Sequence, residues 1–192
     1  MKKILFLVIA CSFSFSGTFY IEMGQAPQYT VTANILGEEI KVTEELDKGG
    51  LTVGYNHSFF QKGKWSVSAG GSYTLNPITG IRQPEDLRFS PTNSEAGFIS
   101  AYLLPVYQIG EKFFAWASIG KTKGLYDLDV DEFESGNTIG YGIHIKCNDT
   151  FGIGVGFTTN TLTYIETVVD EDDVKADFDF NRTSIFFTTK IN

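Results

Sequence analysis

The chain has no apolar run long enough to form a membrane helix. Its longest, Ile4 to Ala10, falls far short of the roughly 20 residues that a helical span needs. Cysteine is scarce: there are two, Cys11 and Cys147, and only Cys147 lies in the body of the chain, so no internal disulfide framework is available. Histidine is equally scarce, with His57 and His144 alone. Basic charge is the minority sign, 15 Lys and Arg against 23 Asp and Glu, which excludes nucleic acid as a partner. No low-complexity linker or long repeat interrupts the sequence.

What is abundant is glycine and phenylalanine, 20 and 17 residues, and much of both falls in a two-residue rhythm. From Thr138 to Phe157 the rhythm is clearest. Ile139, Tyr141, Ile143, Ile145 and Cys147 alternate with Thr138, Gly140, Gly142, His144 and Lys146. After the turn residues Asn148-Asp149-Thr150, Phe151, Ile153, Val155 and Phe157 alternate with Gly152, Gly154, Gly156 and Thr158. Period-two patterning around a polar turn predicts a hairpin. Its non-apolar face is made of glycine and other small residues rather than the Lys, Glu and Gln that a water-facing surface carries. Small residues suit a narrow barrel lumen, and the apolar face then points outward to lipid.

The same alternation predicts strands at Thr18 to Gly24, with a continuation over Tyr29 to Ala33, and at Leu51 to Phe59, Trp65 to Leu75, Gly97 to Gln108, Phe113 to Thr122 and Phe180 to Ile191. In the Phe113 to Thr122 strand the outward set is Phe113, Ala115, Ala117 and Ile119, which turns Trp116 inward. The acidic segments around Gly37 to Gly49, Gly124 to Asn137 and Asp170 to Asp179 read as loops, as does Asn76 to Glu95. Connections then alternate long and short. The fold this predicts is all-β, an eight-stranded antiparallel up-and-down transmembrane β-barrel with short turns on one side and longer loops on the other. Tyr55, Phe59, Trp65, Tyr73, Tyr107, Phe151 and Tyr164 fall near strand ends, where interfacial aromatics belong.

Residues 1–16 read as a secretory signal peptide. Lys2 and Lys3 precede the apolar run, and Ser14 and Ser16 stand at the −3 and −1 positions for cleavage before Gly17. A lipobox-like Val8-Ile9-Ala10-Cys11 is the alternative, making Cys11 a lipidated first residue. Residues 17–192 then form one barrel domain.

These features together resemble the small outer-membrane β-barrel proteins of Gram-negative bacteria, the opacity-type and porin-family-like barrels. The resemblance is carried by FYIEMGQA, GYGIHIKCNDTFGIGVGF and DFDFNRTSIFFTTKIN, and it covers nearly all of the chain after residue 16. It implies an outer-membrane location and a structural or surface-interaction role with loops exposed outside. It implies as partners outer-membrane lipid and lipopolysaccharide, the barrel-assembly machinery during insertion, and a host or surface ligand at the loops. Members usually finish on an aromatic residue; this chain finishes Lys190-Ile191-Asn192.

Three motifs invite chemistry and none reads as catalytic. Gly152-x-Gly154-x-Gly156 lacks the following helix that a phosphate-binding loop requires. Asp127-x-Asp129-x-Asp131 opens like a calcium loop, but Glu132 stands where glycine is needed and Thr138 where glutamate is needed. His57 and Ser58, as strand neighbours, point to opposite faces and form no local base and nucleophile. No enzyme, cofactor or metal site is predicted; the alternatives are a small pore and a lipid A-modifying barrel. The candidate site is instead a structural polar network in the lumen: Glu22, His144, Lys146, Arg182 and Lys190. A charge in a narrow lumen needs a partner, so Glu22 is expected to bond Arg182 or Lys146.

Overall fold

The computed structural model describes residues 17–35, 38–45, 50–75, 97–125, 133–166 and 174–191. The segment read as a signal peptide, the Asn76 to Glu95 loop, and Asp127, Asp129, Asp131 and Glu132 lie outside them. The described residues form nine strands: β1 (Gly17–Ile35), β2 (Glu38–Glu45), β3 (Leu51–Lys62), β4 (Trp65–Leu75), β5 (Gly97–Gln108), β6 (Phe113–Leu125), β7 (Phe133–Lys146), β8 (Phe151–Glu166) and β9 (Val174–Ile191). Eight of them, β1 and β3 to β9, pair antiparallel with their sequence neighbours, and β1 closes the ring on β9. The closed ring leaves no free edge along the barrel wall, where lipid could not hydrogen-bond the backbone.

The ninth strand, β2, corrects the reading of Gly37 to Gly49 as loop. It pairs with the upper half of β1, Gln28 to Ile35, whereas β3 pairs with the lower half, Thr18 to Met23. Between the halves the β1–β9 register slips from Gln25 to Gln28. The slip contains Pro27, which has no N–H to donate and is tolerated at such an irregularity. Above it, β1 and β2 form a hairpin that extends the sheet beyond the barrel rim. The acidic segment from Asp170 is corrected in the same way: β9 begins at Val174, so Asp177 and Asp179 are strand residues.

The short turns are built for tightness. Lys62 pairs with Trp65, leaving Gly63 and Lys64 as a two-residue loop, and Gly63 has φ of 58°, as a turn with glycine first requires. In the β7–β8 turn Asn148 Oδ1 accepts hydrogen bonds from the backbone N–H groups of Thr150 and Phe151, each at 2.8 Å. β3 carries a bulge between Ser58 and Phe60. Phe59 and Phe60 are consequently both exposed, at 59% and 47%, instead of taking opposite faces.

Candidate functional site

The lumen is organised around a ring of buried polar side chains, one from each barrel strand: Glu22, Thr52, Thr74, Ser100, Thr122, Thr138, Asn160 and Arg182. Alternation turns each of them inward, and small hydroxyls leave room for the one long side chain among them. Arg182 Nη2 lies 2.9 Å from Glu22 Oε1, and Arg182 Nη1 donates to Thr52 Oγ1 at 2.7 Å. Thr52 and Thr74 hydroxyls bond at 2.9 Å, and Ser100 donates to Thr122 at the same distance. The ring therefore pairs its two charges and links hydroxyls from strand to strand.

Toward the long-loop end the ring is covered by apolar side chains. Phe98, Leu162 and Phe180 are buried, and the Phe98 and Phe180 rings sit 4.9 Å apart. Toward the short-turn end the lumen opens into a cavity of about 380 Å³. Aromatic rings line it. The glycines of the alternating faces explain how they fit, for a Cβ on Gly54 would strike Tyr20 and one on Gly70 would strike Tyr102. Gly142 and Gly156 likewise seat Trp116, Gly154 seats Phe186, and Gly152 seats His144. Each ring lies over glycine on a neighbouring strand, so it runs along the wall rather than across the lumen. Trp116 is inward because β7 and β8 have no side chains where its indole rests.

Of the five residues expected in one network, the structure joins two. Glu22 and Arg182 meet at the ring. His144 Nε2 is 2.9 Å from the Thr188 hydroxyl, lower in the cavity. Lys146 reaches down to the β7–β8 turn, where its Nζ donates to Asp149 Oδ1 at 2.7 Å. That ammonium holds the exposed Asp149 carboxyl below the usual carboxylate range, chiefly through the hydrogen bond. Lys190 is exposed at the same mouth. Of the two partners expected for Glu22 the structure gives Arg182 and not Lys146: Lys146 has an acid in the turn, which lies just beyond the strand where alternation stops assigning faces. The Tyr20 and Tyr102 hydroxyls, bonded at 2.8 Å, are a further lumen pair. Among the described residues there is no group of three His, Cys, Asp or Glu able to hold a metal ion. His57 is exposed, whereas Ser58 lines the cavity mouth.

Outside the barrel the pattern inverts that of a water-soluble protein. The shielded side chains are chiefly Thr, Ser, Asn and one ion pair, while Ile119, Ile139, Tyr141, Ile143, Val155 and Phe187 are exposed. Only hydrocarbon makes that arrangement favourable. The molecule is a membrane-spanning β-barrel. The barrel's apolar band is bordered at the short-turn end by Phe59, Trp65, Phe113 and Phe151, with the Trp65 ring tilted against Tyr107 at 4.8 Å between centroids. At the long-loop end it gives way to a polar ladder: Thr159 donates to Asn181, Thr161 to Asp179 and Thr163 to Asp177, at 2.6 to 2.8 Å.

No family model and no curated protein matches the sequence. Similar solved structures include the attachment invasion locus protein Ail of Yersinia pestis, at 15% identity and TM-score 0.40 over 88% of this chain and 98% of that one. The outer membrane protein OprG of Pseudomonas aeruginosa is similar at 11% identity and TM-score 0.48, covering 93% and 98%. The outer membrane protease OmpT of Escherichia coli is similar at 7% identity and TM-score 0.42, covering 92% and 97%.

Proposed function

We propose that this barrel is an integral protein of a Gram-negative outer membrane whose lumen is shut and whose role is structural or lies in the surface it presents outside. The observation that carries this is the blocked lumen: the polar ring with its Glu22–Arg182 pair, capped by Phe98, Leu162 and Phe180. In this reading Glu22 and Arg182 are a structural plug, and His144, Lys146 and Lys190 complete the polar lining below it. An eight-stranded barrel has room for side chains, not for the aqueous channel of a porin. The outward surface is supplied by strands that overshoot the apolar band, namely the β1–β2 hairpin and the Thr–Asp ladder of β8 and β9. Lipid and lipopolysaccharide are its membrane partners and the assembly machinery inserts it; a host or surface ligand would meet the overshooting strands.

The mature chain begins near Gly17 in this reading, where β1 starts its pairing with Ile191. Intact-mass spectrometry of membrane-extracted protein tests that start, and a lipidated Cys11 overturns it. The role itself is tested in planar bilayers together with washed outer membranes. We expect the protein in the membrane fraction, with heat-dependent gel mobility and no sustained porin-sized conductance. Stable, voltage-independent openings would make it a pore, and an altered lipid A mass profile on deletion would make it an enzyme.

A further inference from the structure

We propose that the cavity below the ring is a binding pocket, reached from the short-turn side, for a small organic anion with a flat apolar body. At about 380 Å³ the space falls in the range of small-molecule sites, roughly 300–1,000 Å³, and it is a blind end rather than a path. Its walls are aromatic. Trp116 and Phe186, packed edge to face at 5.6 Å and 76°, lie on one side, and Tyr20 and Tyr102 on the other, each seated by the glycines beneath it. Such walls receive a flat apolar body by stacking and edge-to-face packing.

The charge of the ligand follows from the mouth. Although the whole chain is −8, the titratable side chains lining this mouth are Lys146, Lys190 and Asp149, so the rim is net positive. Asp149 is already bonded to Lys146. Lys190 is left to meet a carboxylate or similar head group while the body lies against the rings above it.

Trp116 makes the pocket report on itself. The experiment uses the full mature barrel in lipid nanodiscs, with Trp65→Phe so that Trp116 is its one tryptophan, and titrates 2-naphthoate against neutral 2-naphthamide at low salt. We expect saturable quenching of Trp116, at least tenfold tighter for naphthoate. Lys190→Glu, at the exposed rim, should erase that preference. Ser118→Leu, which fills the pocket, should abolish saturation for both probes; Val106→Phe, nearer the mouth, serves the same purpose if the first variant fails heat-dependent gel mobility. Linear, non-saturable quenching overturns the proposal. So does saturation that the filling variants leave unchanged, or equal affinity for the two probes that Lys190→Glu does not alter. Because none of these readouts depends on conductance or on surface adhesion, the pocket and the shut-barrel reading stand or fall separately.

Discussion

Removing the Glu22 carboxylate isolates the energetics of the lumen. Both side chains of the Glu22–Arg182 pair are about nine-tenths shielded and 2.9 Å apart, so Glu22→Ala leaves a guanidinium with one remaining short bond, to Thr52. Breaking a buried pair by deleting one member costs about 3 to 5 kcal/mol, because the surviving charge stays in a poorly solvated site. At about 1.4 kcal/mol per decade this is roughly a hundred- to several-thousand-fold in the folding equilibrium. Water in the cavity below would bring the loss toward the lower figure. The measurement is a reversible urea titration in lipid vesicles, run for Glu22→Ala, Arg182→Ala and the double variant. Removing both charges abolishes the unpaired species, so the double variant should be more stable than the sum of the singles predicts, by about 1 kcal/mol or more. A Glu22→Ala loss below about 1 kcal/mol with additive singles would show that the pair holds nothing in place.

Ile143, exposed at 47% in the middle of the apolar band, should tolerate no charge: Ile143→Arg is expected to cost about 2 to 4 kcal/mol in the same titration, and a negligible loss would refute the lipid-facing assignment. Gly156→Val should be overpacked against the Trp116 ring by about 1 to 3 kcal/mol, and Trp116→Leu in the same chain should recover most of it; failure to recover would mean the glycine is needed for something other than seating the indole. Asp149 should titrate below an ordinary aspartate by NMR. Since its folded pKa is the lower one, the Lys146 contact favours the fold at neutral pH and is lost as pH falls through the carboxylate range. Lys146→Met should return the Asp149 titration toward its ordinary position.

The barrel was legible in the sequence wherever one face of a strand was apolar and the other small, as in β7 and β8. It was less legible where both faces are apolar. In β9, Phe186 and Phe187 are adjacent, and the bare Gly154 beside Phe186 on the neighbouring β8 gives the first its place inside. β2 was hidden by composition, since Glu38 to Glu45 reads as an acidic loop although Ile40 and Val42 keep a two-residue step. Asp177 and Asp179 misled in the same direction: above the apolar band, an outward strand position faces water and accepts a carboxylate. The Glu22–Arg182 pair could be anticipated because β1 and β9 must be neighbours in any closed barrel. The choice of Arg182 over Lys146 could not, because it depends on an acid in a turn.

The seam between β1 and β9 fixes the order in which the molecule can be made. Every other strand pair joins segments close in sequence, but this one joins Gly17–Ala33 to Ala176–Ile191. Loop-closure entropy for that pairing is the largest in the chain, and none of it is recovered until the last strand is available. Until then β1 and the most recently placed strand both present bare edges, the form of sheet most prone to pair with a stranger. Assembly is therefore all-or-none with respect to β9: a chain shortened ahead of Val174 would be not a smaller barrel but an open sheet, and an unguarded one.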